Sequence, residues 1–151
     1  MNRRQTLHAG LSASSVGLLL SAGLITPVQA QTAKAAFDAK NVKDAINALG
    51  AAPTAGGAQI TITSPDIAEN GAVVPVGVAS TVPGTTEIYI LVEKNPNPMA
   101  ASFRVPEGTE ANVQTRVKMG QSSNIHAVVK ANGKLYSSVK ETKVTLGGCG
   151  G

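Results

Sequence analysis

From residue 59 onward the chain is a series of short β-branched and aliphatic runs, each closed by proline, glycine or asparagine. That pattern constrains the fold more than any other feature. Residues 59–63 place Ile60 and Ile62 on one face, and Pro65 with Asn70-Gly71 ends the run. Residues 72–80 form the next run, closed by Pro83-Gly84. Residues 86–93 are apolar on both faces, Tyr89 and Leu91 opposing Ile88, Ile90 and Val92. Such a strand is expected at the centre of a sheet and covered on both sides. Asn95-Pro96-Asn97-Pro98 is a stiff turn, because each proline fixes its own φ and keeps the preceding asparagine out of helix. Residues 102–105 are a short run, and 112–119 alternate Val113, Thr115, Val117 and Met119 with polar partners. Residues 125–131 and 134–146 flank Asn132-Gly133, a two-residue signal for a type I′ hairpin. About seven such strands predict an all-β, immunoglobulin-like antiparallel β-sandwich. The paired cysteines and core tryptophan of antibody domains are absent, so the expectation concerns architecture only.

Ahead of the strands, residues 31–50 read as a short N-terminal helix. Ala35, Ala39, Val42, Ile46 and Leu49 fall three or four apart on one stripe, Lys40, Lys43, Asp44 and Asn47 take the other side, and Gly50 is a natural stop. Residues 51–58, with Pro53, Gly56 and Gly57, read as a linker.

Residues 1–30 have the three regions of an export signal. Arg3-Arg4 precede an apolar run over residues 10–26, Pro27 breaks it, and Val28-Gln29-Ala30 supplies small residues for cleavage. The paired arginines with Leu7 just after them point to the twin-arginine route, although Thr6 stands where that signal usually has a bulky residue. Cleavage after Ala30 removes both arginines, so 13 basic residues become 11 against 9 acidic ones and the formal charge falls from +4 to +2. The remaining lysines are scattered among acids. With no tryptophan, two phenylalanines and two tyrosines, the chain lacks the stacking platforms and basic stripe of a nucleic-acid binder. The resulting organisation is a signal over 1–30, helix and linker over 31–58, sandwich over 59–146 and an arm over 147–151.

The cysteine count is the informative number. An exported protein stabilised by internal disulfides carries cysteines in pairs, and this chain has one, Cys149. It stands in the terminal run Leu146-Gly147-Gly148-Cys149-Gly150-Gly151. If the last strand ends near Leu146, the thiol is three residues out and reaches roughly 10 Å from the folded body. Gly147, Gly148, Gly150 and Gly151 make a flexible arm with nothing wider than backbone beside the sulfur. Such an arm can enter a narrow channel in another protein. Fixing each of its residues costs about 1–2 kcal/mol, so docking is expected to be weak and reversible. No Lys, Arg or His lies in the tail to lower the thiol pKa from the ordinary value near 8.5. Activation must come from a partner, and the chain reads as a tethered substrate, not a catalyst. No resident cofactor or metal is expected.

Other readings of Cys149 are an incidental cysteine in a disordered terminus, and an intermolecular disulfide joining a structural sandwich module to a partner. Prenylation needs a cysteine fourth from the end, and Cys149 is third. His126 on its strand is expected to be structural, since one histidine and one cysteine cannot close a metal site. Glu69, Glu107 and Glu110 fall in turn sequences with no base, nucleophile and orienting group converging on them.

The terminal Gly147-Gly148-Cys149-Gly150-Gly151 resembles the signature of the SoxY family, the sulfur-carrier subunits of the periplasmic Sox thiosulfate-oxidation system. The likeness extends over residues 65–71 (PDIAENG), 74–76 (VPV), 93–98 (EKNPNP) and 133–136 (GKLY), in the same order. The resemblance implies a periplasmic, non-enzymatic carrier that holds sulfur covalently on Cys149. It implies a heterodimer with a SoxZ-like subunit. It also implies service by a c-type haem SoxAX-like enzyme, a manganese-dependent SoxB-like hydrolase and, in some systems, a sulfur dehydrogenase.

Overall fold

The computed structural model describes residues 27–50 and 52–145. The chain divides into two compact units, Met1–Lys34 and Ala35–Gly151. In the first unit, the described residues are the opening turns of helix α1 (Pro27–Asp38). Pro27 opens this helix and does not merely break the preceding run. Its fixed φ suits the first helical position, where the missing N–H has no intrahelical partner to lose. The helix runs through Ala30, and the remainder of the expected export signal lies outside the described residues.

The second unit contains the sandwich. The single helix expected over 31–50 is in fact two, the end of α1 and α2 (Val42–Ala48). Asn41 makes the break. It is extended, with φ −147° and ψ 161°, and its side-chain oxygen accepts the Asp44 N–H at 2.8 Å. That bond caps α2 by satisfying one of its orphan donors. The apolar stripe continues across the break, which is why periodicity alone did not reveal it. Gly50 stops α2 with φ 111°.

Nine strands follow. They are β1 (Thr54–Ala55), β2 (Ile60–Thr63), β3 (Ile67–Ala68), β4 (Val74–Ser80), β5 (Thr85–Val92), β6 (Met99–Arg104), β7 (Asn112–Val117), β8 (Ser123–Ala131) and β9 (Lys134–Val144). The larger sheet has the order β1-β9-β8-β5-β6, with β3 also on β9, and the smaller has the order β2-β4-β7. The sandwich expectation holds with one correction. The long strands pair antiparallel, but two-residue β1 and β3 both pair parallel to β9. The β8–β9 hairpin turns through Asn132 and Gly133, with φ 52° and 75°, the positive pair that a type I′ turn needs.

β5 is covered on both sides, as its sequence predicts. Ile88, Ile90 and Val92 join Val74, Val76 and Val78 of β4 in the core between the sheets. Tyr89 and Leu91, with Val128 and Leu135, pack in a second core with Ala36, Ala45 and Leu49. The second cover is therefore the chain's own helices. Burying a side chain such as Leu91 contributes about 1.5–3 kcal/mol, which makes the helices a structural layer of the fold.

The outer face of the smaller sheet has no such cover among the described residues. Its outward rows are Thr61–Ala79–Asn112, Thr63–Gly77–Gln114 and Pro75–Arg116. Pro75 sits in the central strand at no cost to the ladder, because β2 ends at the Thr63–Gly77 pair and leaves no acceptor on that side.

Candidate functional site

β9 carries the chain into the terminal tail, and its last residues are fixed from several directions. Along one edge it pairs with β8 as far as Ser123–Thr142. Along the other, Lys143 and Val144 pair with Ile67 and Ala68 of β3. The Lys143 N–H donates to Asp66 O at 2.9 Å and the Thr145 N–H to Ala68 O at 3.1 Å. The Val144 N–H donates to Ser122 Oγ at 2.9 Å. Beneath the strand, the hydroxyls of Ser64 and Thr142 meet at 2.9 Å, with Thr142 fully buried. Lys140 Nζ donates to Ser64 O at 2.6 Å and lies 3.3 Å from Asp66 Oδ1.

The backbone is thus pinned through Thr145. Cys149 and the arm glycines Gly147, Gly148, Gly150 and Gly151 lie outside the described residues. Cys149 is four residues beyond Thr145 in sequence, and four extended residues span about 13–14 Å. That length bounds how far the sulfur can lie from the end of β9.

The loops around this end are tied to one another. Asn95 Nδ2 donates to Lys118 O at 2.7 Å, and the Met119 N–H donates to Gly71 O at 2.7 Å. The Lys94 N–H donates to Ser123 Oγ at 3.0 Å. Asn97 Nδ2 reaches Phe37 O at 3.1 Å and Ala39 O at 3.3 Å, which closes the C-terminal end of α1. The sequence marks Asn95-Pro96-Asn97-Pro98 as a stiff turn. Its two asparagines are in fact clamps, one to the loop before β8 and one to the helical layer. The signal was present, since each stands directly before a proline, but sequence alone does not name the carbonyls they reach. Ser64, Ser122 and Thr142 gave no sequence signal, because nothing local marks which strand or loop hydroxyl will meet a distant partner.

His126, expected to be structural, meets Glu93. Its Nε2 lies 2.8 Å from Glu93 Oε2, and Asn124 Nδ2 donates to the same oxygen at 3.2 Å. The bond from His126, then that from Asn124, holds the Glu93 carboxyl below its ordinary pKa. Glu69, Glu107 and Glu110 are all exposed. No three His, Cys, Asp or Glu side chains among the described residues are grouped to hold a metal. No described helix is long and apolar enough to cross a membrane.

Comparison with known proteins bears on the same stretch of chain. The model of the family described as "Sulfur oxidation protein SoxY" matches residues 45–149. Among solved structures, the sulfur carrier protein SoxY from Chlorobium limicola f thiosulfatophilum is 45% identical, with a TM-score of 0.64. That match covers 70% of this chain and 97% of the other. The bacterial superantigen toxic shock syndrome toxin-1 aligns at 9% identity over 57% of this chain and 99% of the other, with a TM-score of 0.41. The human F-spondin reeler domain aligns at 12% over 62% and 94%, with a TM-score of 0.42. Similarity at the level of these last two carries no argument. No curated protein matches the chain.

Proposed function

This chain belongs to the SoxY family of sulfur-oxidation proteins, and from that premise we propose that it is a periplasmic sulfur carrier with Cys149 as the attachment point. The relative from Chlorobium is a sulfur carrier protein. The observation that carries the reading here is the abrupt change at Thr145. The N–H groups of Lys143, Val144 and Thr145 are all bonded, and the six residues after Thr145 are one leucine, four glycines and the chain's single cysteine.

The chemistry assigned to the thiol balances in two steps, both performed by partner enzymes. A SoxAX-like haem enzyme removes two electrons and one proton as the Cys149 sulfur bonds to the outer sulfur of thiosulfate, giving Cys-S-S-sulfonate. A SoxB-like manganese-dependent hydrolase adds water across the bond to the sulfonate, releasing sulfate and a proton and leaving a persulfide. In some systems a sulfur dehydrogenase oxidises that outer sulfur before a second hydrolysis frees the thiol. This chain contributes no catalytic residue. It retains the anionic intermediates covalently and presents them at high local concentration. A SoxZ-like subunit completes the carrier, and the twin-arginine-like signal over 1–30 delivers it to the periplasm.

The test is intact-mass analysis of the protein isolated from cells oxidising thiosulfate. Sulfur adducts on Cys149 that a reductant removes are expected, and Cys149→Ser should abolish turnover with the fold intact. Finding only free thiol during turnover would sink the carrier reading. Stable disulfide-linked species that tolerate a lengthened or stiffened tail would favour a structural module joined through Cys149.

A further inference from the structure

We propose that the outer face of the three-stranded sheet, centred on Gly77 and Arg116, seats the carrier's partner subunit, which places a carboxylate-bearing segment in the hollow over Gly77. The inference rests on the heterodimer proposed above and assigns the face it uses. The sandwich has two outer faces. The larger sheet's is covered by α1 and α2 through Leu91, Val128 and Leu135. The smaller sheet's has no cover among the described residues, and its composition is unusual for a solvated surface. An antiparallel sheet open to water normally turns polar and charged residues outward. Here the central strand turns out Pro75, Gly77 and Ala79, and across all three strands Arg116 is the one outward charge. Depletion of charge is the compositional mark of an interface core.

The face is also hollowed. An open depression of about 860 Å³ is lined by Thr63, Pro65, Pro75, Gly77, Gln114 and Arg116, among others. Its floor is the missing side chain of Gly77. A Cβ there would meet Thr63 Cβ and Gln114 Cγ at 3.5 Å, an ordinary contact. The fold therefore does not require glycine at this position, whereas an incoming segment does.

Charge identifies the occupant. Among the described residues Arg116 has no hydrogen bond or ion pair, and no acid lines the depression. The nearest acid along the chain, Asp66, is turned to Lys140. A guanidinium left unpaired beside a polar, uncharged hollow is matched by a carboxylate, which it can hold bidentately. A depression of this size accepts several residues of a partner's loop or strand, not a lone ion.

The test uses the full mature chain and the separately purified SoxZ-like subunit, with affinity measured by calorimetry. Gly77→Tyr fills the hollow and Arg116→Glu reverses the charge. Each should weaken association by about tenfold or more, while Lys134→Glu, at the β8–β9 hairpin, should leave it unchanged. Urea midpoints check the fold. If Gly77→Tyr disturbs it, Arg116→Glu, an exposed residue with no partner to lose, still decides the question. Wild-type affinity in both variants overturns the assignment and leaves the heterodimer standing. Failure of the wild-type chain to bind removes the heterodimer and this face together. Loss of sulfate or thiosulfate binding to Arg116→Glu alone, with partner affinity intact, means a small-anion site and overturns the proposal. Self-association of the chain that Gly77→Tyr abolishes points to a second copy and does the same.

Discussion

The hydroxyls of Ser64 and Thr142 meet at 2.9 Å under the end of β9. They join the chain leaving β2 to the strand that leads into the arm. Both residues are buried, so water cannot replace either partner. Thr142→Val keeps the shape and removes one hydroxyl, leaving the other without a side-chain partner. Such an orphan costs about 1–3 kcal/mol. Urea denaturation should show that loss, while alkylation of Cys149 by a small reagent should proceed at the wild-type rate.

Leu91→Ala tests whether the helices are part of the fold. Leu91 is fully buried and packs in the core formed with α1 and α2. Truncating it should cost about 2–5 kcal/mol, the range for a buried leucine with incomplete collapse around the cavity. A change under about 0.5 kcal/mol, measured by chemical denaturation, would mean the helical cover contributes little.

Glu93 gives a pH signature. Its folded pKa is depressed, first by the bond from His126 and then by that from Asn124. A depressed carboxylate stabilises the fold above its unfolded pKa, and that contribution is lost as pH falls through the folded value. The stability difference between wild type and Glu93→Gln should therefore be present near neutrality and close below the ordinary carboxylate range. His126→Ala should move the Glu93 titration, followed by NMR, upward toward its ordinary value. Because Glu93 is largely solvated, the stability effect is small and falls with added salt.

The arm predicts a separation of reactivity from presentation. With Gly148 and Gly150 both changed to valine, Cys149 should react with small thiol reagents as before. Turnover with the partner enzymes should fall sharply, because the widened arm no longer enters a narrow channel. Full turnover in that variant would exclude channel entry.

Much of the sandwich could be read from single residues. Ile88, Tyr89, Ile90, Leu91 and Val92 announced a strand covered on both sides, since no polar face was left to meet water. Asn132-Gly133 announced its hairpin through the one turn type that wants two positive φ angles. What escaped reading depended on the chain returning to itself. β1 and β3 are two residues each and carry no period of their own; they are strands only because β9 offers an edge. The break at Asn41 was hidden because its cap interrupts the backbone without interrupting the apolar stripe. The candidate site divides the same way. Cys149 and its glycines stand out by composition and lie outside the described residues, while the bonds that hold the end of β9 became visible only when distant loops were brought together.

The placement of β9 also has a mechanical consequence. It is bonded along one edge to β8 and along the other to β1 and β3, and it leads in sequence to the last residues of the chain given. Tension applied to that end along the strand axis acts on both edges at once. It loads the flanking rungs in shear, together, instead of peeling them one at a time. The sheet can bear a tug along this axis that would unzip a strand pulled sideways.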